Sequence, residues 1–338
     1  MFESTVERLL AKEVTPALIA SAESGAWPVA LWQAIEDNGL PLAAASEQFG
    51  GIGGSWHDAF VLVRAAGRHA APIPLGETIA VNWLLGASRL DVVDGPATLA
   101  LGSDGKFDGG RFDGILTDVP WGRNCSHVLT LTAGEQPLLV LLTVADAEIS
   151  TALNMAREPR DTLRFANVKP VATAPIEGIG VLQAGAMIRS AQIAGGLQRL
   201  LDITIEYANQ RQQFGRPIAK FQAIQHQVAL LSEHAAICDA ASETAFAMIS
   251  AGPSALAVAS AKCITSEAAG GGAAIAHSVL GAIGFTYEHA LRFTTRRLWA
   301  WRSEFGSQSY WATQIGSAAC LNGAKNFWPA LTGDSLAD

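Results

Sequence analysis

The spacing of hydrophobic residues changes twice along this chain of 338 residues. Up to about residue 92, apolar side chains recur every three or four positions, as on one face of a helix, beginning with Phe2, Val6 and Leu9. Short apolar runs follow, and after about residue 176 the helical spacing returns. This order predicts an α+β protein with an N-terminal helical domain over 1–92, a small middle β domain over 93–172 and a C-terminal helical domain over 173–338.

The middle region predicts strands, because Gly, Pro, Asn and Asp separate its apolar runs. A parallel sheet would need crossover helices between those runs, and no helical spacing occurs there. We therefore expect a mostly antiparallel sheet. The expected strands are 98–101, 114–119, 127–131, 138–144 and 162–168.

The C-terminal region predicts long amphipathic helices. One apolar stripe contains Ile193 and Leu197 and is ended by Gly215, and a second stripe begins at Phe221. A third long helix is expected from about Ser254 to Leu280. These stripes are expected to be the core faces of a helical bundle.

Composition restricts the classes of function. With 49% hydrophobic and 16% charged residues, the chain can bury a large core. A net charge of -8 and a pI near 5.4 argue against nucleic acid as a partner, because phosphate backbones need clustered Lys and Arg. The four cysteines are far apart and form no CxxC pair, so we expect no metal site, no disulfide framework and a reducing cytoplasmic location.

No membrane span is expected from the sequence. The longest weakly polar stretch, Ala251–Phe285, is interrupted by Lys262, Glu267 and His277, and its many Gly and Ala residues suit close helix contacts. The acidic N-terminal segment lacks the basic-then-apolar order of a signal peptide.

The segment Arg211–Gln222 carries the clearest chemistry, because it places three binding groups at the junction of two helical runs. Arg211 offers a planar fork of donors for phosphate oxygens, and Phe214 offers a flat face for a heterocycle. Gln222 can both donate and accept hydrogen bonds. The combination suits a dinucleotide, whereas the structural alternative is a helix corner in which the arginine caps a helix C-terminus.

The pattern RxxFGxPIxxFQ in this segment resembles the flavin-binding segment of the acyl-CoA dehydrogenase family. Glu47–Gly54 is similar to the family's glycine-rich loop between two N-terminal helices. The resemblance implies that Arg211, Phe214 and Gln222 hold the ADP part of an FAD molecule that belongs to a neighbouring subunit. It also implies a helical domain, a small β domain and a C-terminal four-helix bundle, with the flavin between sheet and bundle.

Further site residues follow from the same resemblance. Trp121 is expected to stack on the isoalloxazine ring, although the family's usual TEPxAGSD stretch is absent from the β domain. Ser278 and His277 lie where the family often has a glutamine beside the ADP moiety, and a packed helix position is the alternative for both. Ala282 belongs to the turn Gly281–Phe285, which corresponds to the family's GGxGY turn. The resemblance also implies an electron-transfer flavoprotein as acceptor and a homo- or hetero-oligomer.

Acyl-CoA dehydrogenation needs a carboxylate that removes the α-proton while the β hydrogen passes to flavin as hydride. The family usually supplies this base from a segment like RDAxxxxIYEGTxxI, which corresponds to Arg296–Ser307. Aligned without a gap, Phe305 falls at the catalytic position and Glu304 falls one residue before it. Glu304 is therefore the candidate base, and the alignment leaves open whether the chain has a base at all.

Some family members instead carry the base on the helix before the RxxFG segment. No carboxylate stands at the corresponding residues, Gly185–Ile188. Arg189 is the charged residue in the first turns of that helix, and it either faces the substrate or forms a surface pair. Both alternatives remain open from the sequence.

Three functions remain open at this point. The first is an FAD-dependent acyl-CoA dehydrogenase that desaturates a CoA thioester of lipid or steroid catabolism. The second is an FAD-binding but non-catalytic partner subunit of a heteromeric enzyme, in which another chain brings the glutamate. The third is a flavin monooxygenase or nitroalkane oxidase on the same fold.

Overall fold

The computed structural model describes residues 2–102, 105–176, 178–251, 255–323, 325–327 and 329. Helices occupy the N-terminal and C-terminal parts, and strands occupy the middle, as the hydrophobic spacing predicts. The helices are α1 (Phe2–Glu13), α2 (Pro16–Glu23), α3 (Val29–Asp37), α4 (Trp56–Arg68), α5 (Leu75–Ala87), α6 (Val181–Gln210), α7 (Gln222–Ala251), α8 (Ala255–Leu280), α9 (Leu291–Trp301) and α10 (Gln308–Asn322). The strands are β1 (Ala97–Leu99), β2 (Lys106–Asp108), β3 (Arg111–Pro120), β4 (His127–Leu131), β5 (Leu138–Thr143), β6 (Glu148–Ser150), β7 (Arg160–Val168), β8 (Ala172–Pro175), β9 (Gln212–Gln213) and β10 (Arg216–Pro217).

The N-terminal helices have clear start signals in the sequence. Thr15 caps α2, which has Pro16 at its first position, and Ser55 forms a capping box with Asp58 at the start of α4. The apolar faces of α1, α3, α4 and α5 meet in the largest hydrophobic core, which extends to the first turns of α6. The loop before α4 contains four glycines, Gly50, Gly51, Gly53 and Gly54. Gly51 leaves no room for a side chain, because a Cβ would lie 2.1 Å from the Ala45 carbonyl oxygen.

The middle region forms two four-stranded sheets that pack face to face. One has the order β1-β4-β5-β8, and the other has the order β2-β3-β7-β6. All pairings are antiparallel except β1 with β4. Between the sheets lies an apolar core in which Phe112 of β3 meets Phe165 of β7 edge to face. The region therefore contains two small sheets, where the strand pattern alone indicates one.

The C-terminal region is a bundle built around α6. This helix packs against α7, α8 and α9, and it also packs against α4 of the N-terminal region. The bundle has its own apolar core, which includes Leu197, Leu231 and Leu298. The predicted third helix is α8; its expected first residue, Ser254, lies outside the described residues.

Helix α8 with the turn after it, Ala255–Phe285, is long and apolar enough to cross a membrane by length and composition alone. Half of its apolar window is buried inside the protein, against α6, α7 and α10. Packing in the bundle therefore explains its composition without a membrane.

Candidate active site

A cleft of about 520 Å³ lies between the two sheets and the end of α9. The ends of β1 and β3 contribute Leu99 and Thr117 to one wall, and the loop between β6 and β7 contributes Asn154. Trp299 and Glu304, from α9 and the turn after it, form the opposite wall. The cleft has mostly apolar walls with a few polar groups, which is the usual character of a small-molecule site.

Glu304 is held in this wall by two arginines. Arg160 of β7 donates from Nε to Oε1 at 2.8 Å and from Nη2 to Oε2 at 2.9 Å, a bidentate pair. Arg189 of α6 donates from Nε to Oε2 at 2.7 Å. Asn154 adds a hydrogen bond from Nδ2 to Oε1 at 3.1 Å. The Glu304 side chain is 18% exposed, so it reaches the cleft while both oxygens accept protein donors.

These donors decide the protonation of Glu304. Burial by itself raises the pKa of this carboxyl group, but the positive charges of Arg160 and Arg189 outweigh burial and lower its pKa to about 2. A carboxylate that removes the α-proton of a thioester works best with a raised pKa. The environment of Glu304 shifts its pKa in the opposite direction.

The pairing of Glu304 belongs to a longer run of alternating charges. Glu77 of α5 accepts from Arg189 Nη2 at 2.7 Å, and Glu158 accepts from Arg160 Nη2 at 3.0 Å. Arg297 of α9 lies 3.0 Å from Glu158 through Nε and 3.6 Å from Glu23 of α2 through Nη1. The run thus links both helical regions to the sheets. The sequence does not show it, because its members are neighbours only in space. The order is Glu77, Arg189, Glu304, Arg160, Glu158, Arg297 and Glu23.

The turn that carries Glu304 is also held by hydrogen bonds from two side chains to its backbone carbonyl oxygens. The buried Lys262 of α8 donates from Nζ to the carbonyl oxygens of Arg302 and Trp301, at 2.9 Å and 3.3 Å. Trp311 of α10 donates from Nε1 to the carbonyl oxygen of Phe305 at 3.0 Å. These bonds satisfy carbonyl groups at the C-terminus of α9, where a cation is favoured by the helix dipole.

Phe305 occupies the space in front of Gly185 on α6. A Cβ on Gly185 would lie 2.2 Å from the Phe305 ring, so no larger residue fits there without movement of the turn. Phe305 itself has a φ of 52°, a strained value for a residue with a side chain. The ring therefore fills the space beside Gly185, where the resemblance implies an alternative position for a carboxylate.

The structure places two predicted site residues away from the cleft. Arg189 is 1% exposed and is enclosed by Glu77, Gln192 and Glu304, so neither the substrate-facing nor the surface-pair alternative describes it. Trp121 is buried, meets Trp27 edge to face and does not line the cleft. Its backbone has a φ of 56°.

Arg211, Phe214 and Gln222 lie together on an exposed corner between α6 and α7. A short antiparallel ladder of β9 and β10 builds this corner, with Phe214 at a φ of 51° followed by Gly215 at 77°. Phe214 is 92% exposed and meets Phe221 edge to face. Arg211 and Gln222 are exposed as well. None of the three fills a core position, so packing within this chain does not account for them.

Ser278 and Ala282 lie at the same end of the bundle as this corner. Gln227, in the second turn of α7, donates from Nε2 to Ser278 Oγ at 3.3 Å and so joins the two segments. Both Ser278 and Ala282 are exposed. His277, by contrast, is buried and stacks between Phe285 and Trp299, with centroid distances of 4.4 Å and 5.5 Å. Trp299 thus connects this end of the bundle to the cleft.

Within the described part of the chain, no group of three or more His, Cys, Asp or Glu residues is arranged to hold a metal ion. The donors near the cleft suit an organic ligand instead. Cys125 and Cys238 are buried, and burial raises the pKa of both thiols, that of Cys238 to about 12, which makes them unreactive.

Comparison with known proteins gives the family. The N-terminal domain of acyl-CoA dehydrogenases matches residues 1–90, and the C-terminal domain matches residues 179–318. The chain is also 30% identical over 308 residues to the acyl-CoA dehydrogenase IpdE2 of Mycobacterium tuberculosis, covering 88% of this chain and 89% of that one. The chain belongs to the acyl-CoA dehydrogenase family. Its members are flavoprotein oxidoreductases that act on acyl-CoA, and the acyl-CoA dehydrogenase fold expected from the sequence is confirmed.

Solved structures agree on the fold. The ChsE4-ChsE5 complex of Mycobacterium tuberculosis contains a chain that superposes with a TM-score of 0.86 at 21% identity, covering 96% of this chain and 97% of that one. A steroid acyl-CoA dehydrogenase variant, Tcur3481-Tcur3483, gives a TM-score of 0.84 at 22% identity, covering 94% and 96%. At these identities both structures establish the fold alone.

Proposed function

We propose that this acyl-CoA dehydrogenase family member binds FAD and takes part in the α,β-desaturation of a CoA thioester. The exposed corner of Arg211, Phe214 and Gln222 carries the proposal. Its guanidinium, ring and amide are the groups that an adenosine diphosphate requires, and all three are exposed among the residues that the structure describes. A second subunit that brings its own flavin to this corner would complete the site.

The cleft supports the other half of the proposal. Its volume of about 520 Å³ and its apolar walls accommodate a flat aromatic ring together with the start of an acyl chain. Thr117 and Ser303 supply hydroxyl groups that can donate to ring or thioester oxygens. FAD, when bound there, accepts the β hydrogen as hydride.

The role of Glu304 separates two forms of this function. In one, Glu304 of this chain removes the α-proton. In the other, the carboxylate comes from an unlike partner subunit, and this chain completes the flavin site. The pairing of Glu304 with Arg160 and Arg189 favours the second form, because two adjacent positive charges hold this carboxylate in a weakly basic state. The names of the ChsE4-ChsE5 and Tcur3481-Tcur3483 assemblies are consistent with pairs of unlike chains.

The proposed substrate is a CoA thioester of lipid or steroid catabolism, and the proposed electron acceptor is an electron-transfer flavoprotein. The steroid acyl-CoA dehydrogenase among the structural neighbours supports the substrate class. Substrate-dependent oxygen consumption without dye reduction would instead identify the oxidase or monooxygenase alternative.

Flavin binding is the direct test. The chain, purified with any co-expressed partner, should carry FAD with the absorbance of an oxidised flavin. Arg211→Ala should lower the flavin content at least tenfold without changing the far-ultraviolet circular dichroism spectrum, which reports the fold. Arg164→Ala, at another exposed arginine on β7, is the matched control and should retain the flavin. A chain that takes up no FAD alone or with a partner would contradict the proposal.

Dye reduction by acyl-CoAs then separates the two forms. If Glu304 is the base, Glu304→Gln should abolish activity while the flavin content of the folded variant stays close to that of the unchanged chain. If a partner supplies the base, the isolated chain should be inactive, and replacing the partner's carboxylate should abolish activity of the pair. If the isolated chain stays active after Glu304→Gln, neither Glu304 nor a carboxylate of a partner subunit is the base.

A further inference from the structure

A second pocket lies on the other side of α9, between the two helical regions. It has a volume of about 430 Å³ and shares no residue with the cleft. Helices α1 and α2 form one side, the turn after α4 forms the end, and α6 and α9 form the floor and far side. Nothing in the flavin or acyl-CoA chemistry described above uses this pocket.

The floor of this pocket is apolar. Ile19, Ala70 and Phe293 form a small hydrophobic cluster that is separate from the three larger cores, with Val14 and Ala290 packed against it. All five line the pocket. An apolar cluster with open space above it can still gain contacts, because the side chains facing the space lack partners on that side.

The rim of the pocket carries two arginines and one carboxylate that is paired with a histidine. Arg199 of α6 is exposed and forms no ion pair within the part of the chain that the structure describes. Arg68 pairs with Asp202 at 3.0 Å, but both side chains are at least two-fifths exposed, so a competing anion can exchange with Asp202 at little cost. His69 lies 2.8 Å from Glu7, and its hydrogen bond lowers the pKa of Glu7 despite burial of that carboxyl group.

The residue after the C-terminal turn of α4, Ala70, has a left-handed backbone conformation and places its methyl group in the pocket. Helix α4 ends with Ala70 N–H donating to Gly67 and Ala71 N–H donating to Ala66, the bonds of a Schellman motif. The left-handed position of this motif normally holds glycine, yet here Ala70 adopts a φ of 51° and turns its methyl group into the floor. The Ala70 methyl group thereby joins Ile19 and Phe293 in the apolar floor.

We propose that this pocket binds a small amphipathic monocarboxylate, such as a free medium-chain acid. The apolar floor would hold the alkyl body, and Arg199, with Arg68 beside it, would hold the carboxylate. One unpaired arginine on the rim matches one negative charge, whereas the phosphates of CoA would need more cations. The site is separate from the cleft and goes beyond the proposed dehydrogenase function.

Calorimetric titration of the purified full chain, with any bound FAD and partner, tests this site. Octanoate should bind, and octan-1-ol should bind at least tenfold more weakly because it lacks the charge. Arg199→Ala should weaken octanoate binding at least tenfold, and Ala290→Leu should do the same by filling the floor from a residue with an ordinary φ of -66°. Arg164→Ala, remote from the pocket, should leave binding unchanged.

The contrary results are equally definite. No heat with octanoate, equal affinity for octanoate and octanol, or unchanged binding in Arg199→Ala would each overturn the site. Displacement of octanoate by octanoyl-CoA in both the unchanged chain and Arg199→Ala would place the acid in the cleft and likewise overturn it. Flavin content and dye reduction are measured separately, so failure of this site leaves the proposed dehydrogenase function unaffected.

Discussion

Arg189 and Glu304 are joined across the cleft wall by a 2.7 Å contact from Nε to Oε2, although 115 positions separate them in the chain. The contact connects α6 to the turn in which the family usually carries its catalytic base. Arg160 completes the enclosure of the carboxylate from the sheet side. The geometry of Glu304 is therefore that of a residue that joins the helical regions to the sheets.

The first prediction concerns the folding stability of Glu304→Gln. This change removes the carboxylate that Arg160 and Arg189 share in a buried site, so we expect the free energy of unfolding to fall by about 3 kcal/mol. Urea denaturation measures the loss. Glu288→Gln, at an exposed carboxylate, is the control and should change stability by less than about 0.5 kcal/mol. Equal stability of both variants would mean that the pairing contributes nothing.

The second prediction concerns acid. The pKa of Glu304 is lowered to about 2 in the folded chain from an ordinary value of 4.5. Its contribution to stability is therefore present above about pH 4.5 and is lost as the pH falls toward 2. Stability of the unchanged chain should fall over that range more steeply than that of Glu304→Gln, as followed by circular dichroism in urea. Parallel curves would show that Glu304 is not the residue responsible.

The third prediction concerns Lys262. Burial lowers the pKa of its amine to about 7, although the charge of Glu304 acts to raise it. Between about pH 7 and pH 10.5 the unfolded chain therefore binds one proton more than the folded chain at Lys262. The contribution of Lys262 to the free energy of unfolding rises with pH over that range. Lys262→Met should remove this rise, as denaturation at several pH values would measure. A rise that persists unchanged in Lys262→Met would assign it to other groups.

The fourth prediction concerns Gly185 and Phe305. Gly185→Ala would place a methyl group 2.2 Å from the Phe305 ring, so we expect a loss of about 1–3 kcal/mol from overpacking. Combining it with Phe305→Ala should recover part of that loss, because the smaller side chain frees the space. A double-mutant cycle by urea denaturation measures the coupling. Additive losses would show that the two residues do not share that space in solution.

The hydrophobic spacing was sufficient to predict the order of helices, strands and helices. Positions three or four apart share a helix face wherever they occur, so α4 and α6 are recognisable without their partners. The strands β3 and β7 were located for the same local reason, but their division between two packed sheets depends on pairing between distant segments. The RxxFG motif could also be identified from the sequence, because its residues are contiguous in the chain and keep their spacing in any fold.

What the sequence by itself determined is local: the helical and strand periods, and the motif from Arg211 to Gln222 that is proposed to bind a dinucleotide, whose residues are neighbours along the chain. Only the tertiary structure decided that Arg189 and Arg160 converge on Glu304, and that Ala70 and Arg199 share a pocket. Those contacts join residues from different helices and strands, and the pKa of a carboxyl group depends on charges within a few ångströms in space, whatever their separation in sequence.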